Sequence, residues 1–288
     1  MLSWTIGDVK ITRVVEIESP FIPTGGKGSM VEDGTPDNIK TIPWLVPHFA
    51  NEHGHVRMSV HALLVEAPGM RLVVDTCVGN DKPRGNPFFN KMQTAFLDEF
   101  AKAGWARERV DAVVCTHMHV DHVGWNTMLQ DGAWIPTFPN ARYLLGKTEW
   151  AHWSGEDDDR AEQRQILSDS VQPLFDAGLV DLVETDHRIS DHIRLIPTPG
   201  HTPGHVSVVI ESKGERAVIT GDAMHHPCQI AHPEWSSGFD SDQSLSRRTR
   251  RDFLAQFADD KTLVIGTHFA SPTAGRLERD GEGYRLLV

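Results

Sequence analysis

Apolar and polar positions alternate across residues 1–19, where Val9, Ile11, Val14, Val15 and Ile17 keep strand register. Residues 20–58 lose that order and carry ten Pro and Gly among scattered aromatic rings. A Pro- and Gly-rich stretch of this length inside a compact domain predicts a lid, a binding loop or an interface arm. Regular patterning resumes at residue 59. Residues 59–66 and 71–75 read as strands joined by a turn at Ala67-Pro-Gly-Met70. Asn86-Pro87 resembles a helix start, and Phe89, Met92, Phe96, Leu97 and Phe100 follow at helical spacing, so a helix is predicted up to Gly104. Residues 110–116 and 141–145 read as buried strands. A helix is predicted from about Asp159 to Ala177, bent by Pro173.

The second half repeats this grammar. Strands are predicted at 193–196, 206–210, 216–220 and 262–266. A helix over 241–258 carries Leu245, Phe253, Leu254 and Phe257, and its Arg247, Arg248, Arg250 and Arg251 are expected on a solvated face. Each half can therefore supply one mixed sheet with helices outside. Two such sheets would make a four-layer αββα sandwich, although strand periodicity alone does not separate this from a doubly wound α/β fold. One domain over residues 1–288 is expected, with 20–58 as an excursion.

Charge and composition narrow the function classes. Lys+Arg total 28 against 40 Asp+Glu, a formal net charge of -12. Such a surface repels phosphate backbones and anionic membranes, so a small molecule is the expected partner, with neither nucleic acid nor membrane. Three cysteines make no disulfide framework, and residues 1–10 lack the pattern of a signal peptide, so a cytoplasmic location is expected. Cys77 and Cys115 adjoin apolar strands and are expected to be buried and inert, and Cys228 is not expected to act in catalysis.

The densest chemistry follows the strand at 110–116. The run Thr116-His117-Met-His119-Val-Asp121-His122 places four ligand-type residues within six positions. Imidazoles at alternate positions of an extended segment project to one side, so His117 and His119 can grip one ion. Asp121 and His122 follow where the chain turns, here toward a predicted helix. Burying this many ionisable groups is costly unless a metal compensates. Three later strand ends each add a candidate: His201 in Thr198-Pro-Gly-His-Thr-Pro-Gly-His205, Asp222 in Thr220-Gly-Asp-Ala223, and His268 in Gly266-Thr-His-Phe269.

This order of residues resembles the metallo-β-lactamase superfamily of metallo-hydrolases, over roughly residues 59–275. The resemblance implies the αββα sandwich and a dinuclear centre. His117, His119 and His201 would hold one metal, Asp121, His122 and His268 the other, and Asp222 would bridge them. It also implies that Asp75 orients the metal-binding imidazoles. Within the superfamily the set is nearest to the N-acyl homoserine lactone lactonases and the methyl parathion hydrolase group. Those lactonases carry a Tyr three residues after the bridging aspartate, where this chain has His225. Two divalent ions, zinc first and Mn, Fe or Co as alternatives, would share one water. The hydroxide formed there would attack the carbonyl or phosphorus of a small ester, lactone or related electrophile. Asp121, Asp222 and His225 are the catalytic candidates, with Asp121 receiving the released proton. No Gly-x-Ser-x-Gly elbow competes with this scheme.

Trp44 and Phe49 in the excursion, and Trp235 and Phe239 downstream of Asp222, are candidate pocket walls; a homodimer interface is the other use of those rings. His205 is expected to support a loop rather than bind metal. The alternatives within the fold are a mononuclear iron dioxygenase, which needs only two His and one Asp, and a nucleic-acid processing hydrolase, which the acidic charge opposes.

Overall fold

A computed structural model describes residues 1–155, 161–258 and 260–288. The chain divides into two compact units, Met1–Glu16 with Val60–Thr185, and Ile17–Ser59 with Asp186–Val288. No described helix is long and apolar enough to cross a membrane.

Among the described residues, the first unit carries a seven-stranded mixed sheet. Its strands are β1 (Ser3–Ile6), β2 (Val9–Glu18, its end passing into the second unit), β3 (Ser59–Ala67), β4 (Met70–Val74) and β5 (Ala112–Val114). A separate hairpin, β6 (Thr127–Gln130) and β7 (Ala133–Pro136), precedes β8 (Arg142–Gly146) and β9 (Val180–Val183). The sheet order is β1-β2-β3-β4-β5-β8-β9. β4, β5, β8 and β9 run parallel, with Val73 level with Val113 and Val113 level with Tyr143. Phe96, Phe100, Trp105, Trp125, Phe138 and Tyr143 fill the core of this unit.

The second unit has a six-stranded mixed sheet in chain order: β10 (Ile193–Pro197), β11 (Val206–Ser212), β12 (Glu215–Ile219), β13 (Leu263–Ile265), β14 (Ala274–Asp280) and β15 (Gly283–Leu287). β12 and β13 are parallel and the other neighbours antiparallel. The longest helix, Gln243–Phe257, packs Phe253, Leu254 and Phe257 into the core of this unit beside Val209 and Val218. Two mixed sheets with helices agree with the predicted α/β class.

Several local expectations change. Residues 20–58 belong to the core of the second unit: Val31, Ile39, Ile42, Leu45, Phe49 and Val56 are all buried in it. A lid would hold its apolar face for a ligand, whereas this segment spends its apolar side chains on packing. The helix predicted over 86–104 covers only Phe96–Lys102. Upstream, Asp81 N donates to Met92 O and Lys91 N to Lys82 O, so the chain there folds back as a loop. The start proposed at Asp159 lies outside the described residues. Helix Ala161–Ser170 ends, and Gln172–Asp176 begins, around a break at Val171. Pro173 has no N–H to serve the carbonyl four residues back. That carbonyl, Asp169 O, instead accepts from Lys82 Nζ at 3.2 Å and from the Thr127 hydroxyl. The segment after Asp121 turns into a short 3-10 turn, Gly124–Asn126, and then the β6–β7 hairpin, where a helix was predicted.

Candidate metal centres

In the first unit, β4 and β5 are parallel neighbours, so both deliver their following loops to one sheet end. Asp75 follows β4 with φ 57°. Its Oδ1 accepts from Thr116 N at 2.7 Å, and its Oδ2 from Thr116 Oγ1 at 2.9 Å and His122 Nδ1 at 2.9 Å. A carboxylate only accepts, so His122 carries its proton on Nδ1. The Nε2 lone pair then faces Asp121, whose Oδ1 lies 3.7 Å away. His117 repeats the device. Its Nδ1 is 3.1 Å from Thr116 Oγ1, and its Nε2 is 3.1 Å from His119 Nδ1. The His117 and His122 rings are 4.0 Å apart between centroids. All four candidates of the run are thus brought together.

Buried polar side chains pin this loop. Glu149 accepts from Met118 N at 3.1 Å and from Trp153 Nε1 at 2.6 Å, and Gln163 Nε2 donates to Met118 O at 2.8 Å. Glu16 accepts from Val78 N at 2.7 Å and Trp125 Nε1 at 2.7 Å, joining the loop after Asp75 to the turn after His122. Burial raises the pKa of the Glu16 carboxyl against the opposing pull of these hydrogen bonds. Gly124 is required here, since a Cβ would lie 1.8 Å from Val78 O.

In the second unit, three imidazoles surround one oxygen. Asp222 Oδ2 is 3.5 Å from His201 Nε2, 3.4 Å from His225 Nε2 and 3.2 Å from His268 Nε2. Asp222 sits in the tight turn after β12. Gly221 allows that turn, with φ 53° and no room for a Cβ, which would meet His205 Nε2 at 2.5 Å. His205 supports the loop, as expected: its Nε2 accepts from Asp222 N at 2.8 Å, and its Nδ1 lies 2.8 Å from Thr198 Oγ1.

Two of the three rings are oriented from behind. His268 Nδ1 lies 2.9 Å from Ser59 O, a pure acceptor, so the ring carries its proton there. His201 Nδ1 lies 3.1 Å from Asp240 Oδ1. Asp240 also accepts from Ser237 N at 3.1 Å, and its Oδ2 is 3.8 Å from Arg250 Nη2. Burial alone would raise the pKa of Asp240, but the His201 hydrogen bond and the nearby cationic groups outweigh it and hold the carboxyl at about 2. Arg250, expected on a solvated face, is fully buried. It donates to Ala223 O at 2.8 Å, Pro233 O at 2.9 Å and Trp235 O at 2.8 Å. One guanidinium thus ties the loop bearing Asp222 to the segment bearing Asp240. Sequence reasoning missed both Asp240 and Arg250.

These donor sets fit a divalent cation. With Nδ1 protonated, the Nε2 lone pairs of His201 and His268 point at a carboxylate oxygen, which is repulsive unless a cation lies between them. Anchoring one imidazole nitrogen on a carboxylate or carbonyl is the arrangement that fixes the tautomer of a metal-binding histidine.

The aromatic candidates divide. Phe49 and Trp235 are buried in the apolar core of the second unit, where Phe49 packs edge-on against Phe269 and His226. They are core residues, because the apolar side chains of 20–58 and of the segment after Asp222 pack in one cluster. Trp44 is half-buried against the same core, and Phe239 is 51% exposed. His226 is fully buried with its Nε2 at Phe49 O, and burial lowers its pKa to about 4.

The sequence profile of the metallo-beta-lactamase superfamily matches residues 55–268, and the chain belongs to that superfamily. It is 27% identical to an N-acyl homoserine lactonase of a Bacillus species over 146 residues, 50% of this chain and 51% of the relative. The match thus spans about half the length of that relative. An N-acyl homoserine lactonase of Bacillus thuringiensis is 25% identical over 204 residues, 66% of this chain and 74% of the relative. Among solved structures, the hydrolase AbOPH of the β-lactamase superfamily superposes with a TM-score of 0.80 at 24% identity, over 99% of this chain and 96% of that one. AidC, a dizinc quorum-quenching lactonase, superposes with a TM-score of 0.79 at 22% identity, over the same shares. Those two likenesses establish the fold.

Proposed function

We propose that the chain is a metal-dependent hydrolase of small, weakly charged esters or lactones, N-acyl homoserine lactones first among them. Its metal ligands are His117, His119, Asp121, His122, His201, Asp222 and His268. The observation that carries this reading is the anchoring of His122, His117, His201 and His268 through Nδ1, to Asp75, Thr116, Asp240 and Ser59 O respectively. Four buried rings held in this way have been given one task, to present Nε2. Relatives named as lactonases support the substrate class. When bound, two divalent ions, zinc first, supply Lewis-acid polarisation of the substrate oxygen and acidify water.

The protein's own residues do the remainder. Asp75 and Asp240 hold His122 and His201 in one tautomer, so no reorganisation is needed as charge develops. Asp121 is the carboxylate of the first cluster with some solvent access, its side chain 12% exposed, and it receives the proton released during attack and returns it to the leaving oxygen. Neither step needs a side-chain nucleophile, and the cysteines are buried.

The test is a panel of N-acyl homoserine lactones, aryl esters, phosphotriesters and β-lactams with zinc- or manganese-loaded protein. Turnover of lactones or aryl esters that is lost on chelation and regained with metal is expected. Metal-loaded protein that turns over no member of the panel would refute the reading.

A further inference from the structure

His225 stands three residues beyond Asp222 and is fully buried. Its backbone N–H donates to Gln229 Oε1 at 2.7 Å, which fixes the loop that carries it. Its ring is another matter, because neither Nδ1 nor Nε2 makes a hydrogen bond. A buried imidazole with both nitrogens unbonded is unfavourable and calls for a compensating partner. Unlike His201 and His268, this ring has no carboxylate or carbonyl behind it to fix a tautomer.

The surroundings name the partner. His225 Nε2 is 3.4 Å from Asp222 Oδ2, and His201 Nε2 is 3.5 Å from the same oxygen. In a tetrahedral site with bonds of about 2.0–2.1 Å, neighbouring donor atoms are about 3.3 Å apart. Both separations match such an edge. The His201 and His225 rings are neighbours, 4.7 Å apart between centroids and inclined by 67°. His268 behaves differently. Its Nε2 is 3.2 Å from the same oxygen, and its ring is nearly parallel to that of His225, inclined by 9° with centroids 6.2 Å apart, so it approaches the carboxylate from another side than His201. Asp240 also lies within ligand range of His201 and His225. Its oxygens, however, are engaged by His201 Nδ1 and Ser237 N, and Arg250 stands beside them.

We propose that His225 is a metal ligand, joining His201 Nε2 and Asp222 Oδ2 around one divalent cation of the zinc class. This rests on the metal-dependent reading above and adds a donor to it. A side chain in this role completes the coordination of the ion and does not contact substrate. The extra neutral donor tightens binding of that ion and moderates its Lewis acidity.

The experiment uses metal-free full-length protein titrated with Co(II) and Zn(II), with affinity measured by chelator competition and geometry by visible absorption. Loss of partners that merely orient a ligand costs about 10–100-fold in metal affinity. Loss of a ligand should exceed that, so His225→Ala is expected to weaken one ion more than about 100-fold and to change the Co(II) spectrum. His225→Gln keeps a donor oxygen and should fall between the two. Unchanged affinity and spectrum in both variants, with turnover altered, would overturn the proposal and place His225 at the substrate. Should both variants fail to fold, histidine-selective 15N NMR of the unmodified protein decides: a His225 signal unmoved by Zn(II) overturns the proposal, and a coordination shift supports it. Unmodified protein that binds neither metal would instead overturn the metal-dependent reading itself.

Discussion

Asp240→Ala separates the orientation of a ligand from the stability of the unit that carries it. The carboxylate has two duties. Its Oδ1 accepts a hydrogen bond from His201 Nδ1 at 3.1 Å, and its Oδ2 stands 3.8 Å from the buried Arg250 guanidinium. Removing the first lets the His201 ring rotate or change tautomer, which should weaken metal binding by about 10–100-fold. Removing the second leaves a buried cation without its carboxylate, a change that costs about 3–5 kcal/mol when a close pair is broken. Arg250 keeps acceptors at Ala223, Pro233 and Trp235 and a hydrogen bond to Ser246 Oγ at 3.0 Å, and the pair is long, so the lower end, about 3 kcal/mol, applies.

The two effects part in Asp240→Asn. That side chain retains an oxygen acceptor for His201 Nδ1 and loses the charge that Arg250 faces. Metal affinity should return to within about tenfold of the unmodified protein, while the melting temperature of metal-free protein stays depressed by about 6–12 °C in both variants. Chelator competition and calorimetry of metal-free samples measure these quantities independently. If Asp240→Ala binds metal as tightly as the unmodified protein while melting lower, Asp240 serves only Arg250 and the orientation argument is refuted.

Two further predictions concern groups remote from the ligands. Burial lowers the pKa of Lys82 to about 7 despite Asp169 beside it, below its unfolded value of about 10.4, so the unfolded chain binds more protons between these limits. Urea unfolding should therefore show the unmodified protein gaining stability relative to Lys82→Met as pH rises from 7 toward 10; a difference that is flat or falling over that range would refute the assignment. Burial likewise pushes the Cys77, Cys115 and Cys228 thiols up, so a disulfide reagent at pH 8 should label them only at the rate of unfolding; rapid labelling of folded protein would count against this.

The fold class and the clustering of candidate ligands were legible in the sequence, and individual elements less so. His117, His119, Asp121 and His122 are adjacent in sequence, and alternation on an extended segment is a local rule, so the clustering of that run followed from spacing alone. His201, Asp222 and His268 sit at strand ends beside Gly or Thr, again a local signature. Two hairpins were missed, the separate β6–β7 pair and the β14–β15 edge of the second sheet. β6–β7 and β14–β15 are hairpins of mixed composition whose strands carry exposed charged or polar residues, such as Gln130 and Arg276, and their apolar alternation is weak. Residues 20–58 misled for a different reason. Pro and Gly report local backbone shape, whereas the fate of Leu45 and Phe49 depends on an apolar surface supplied by residues 209–269.

Arg250 shows where a finer reading would have succeeded. Composition presents four arginines within five residues as one basic face. The helix Gln243–Phe257 distributes them around its axis, and its buried positions are Ser246, Arg250, Phe253, Leu254 and Phe257. Those positions step by four, three, one and three, the stripe that faces a core. Arg250 is therefore in register with the phenylalanines, and Arg248 and Arg251 are not; both are exposed. A guanidinium on an apolar stripe must meet acceptors at the core end of its side chain or remain unburied. Here it meets the carbonyls of Ala223, Pro233 and Trp235, in the segment that runs between Asp222 and Asp240. Lys82, in a loop of the first unit, is buried in a comparable way, its Nζ donating to Thr127 Oγ1 at 2.7 Å and to Asp169 O at 3.2 Å. Arg250, an ionisable residue at a core position of a periodic element, thus ties together the loops that carry its acceptors. In the second unit those loops carry the candidate ligand Asp222 and the carboxylate that orients His201, so the misplaced charge in the hydrophobic pattern leads to the candidate metal ligands without the histidines having been read at all.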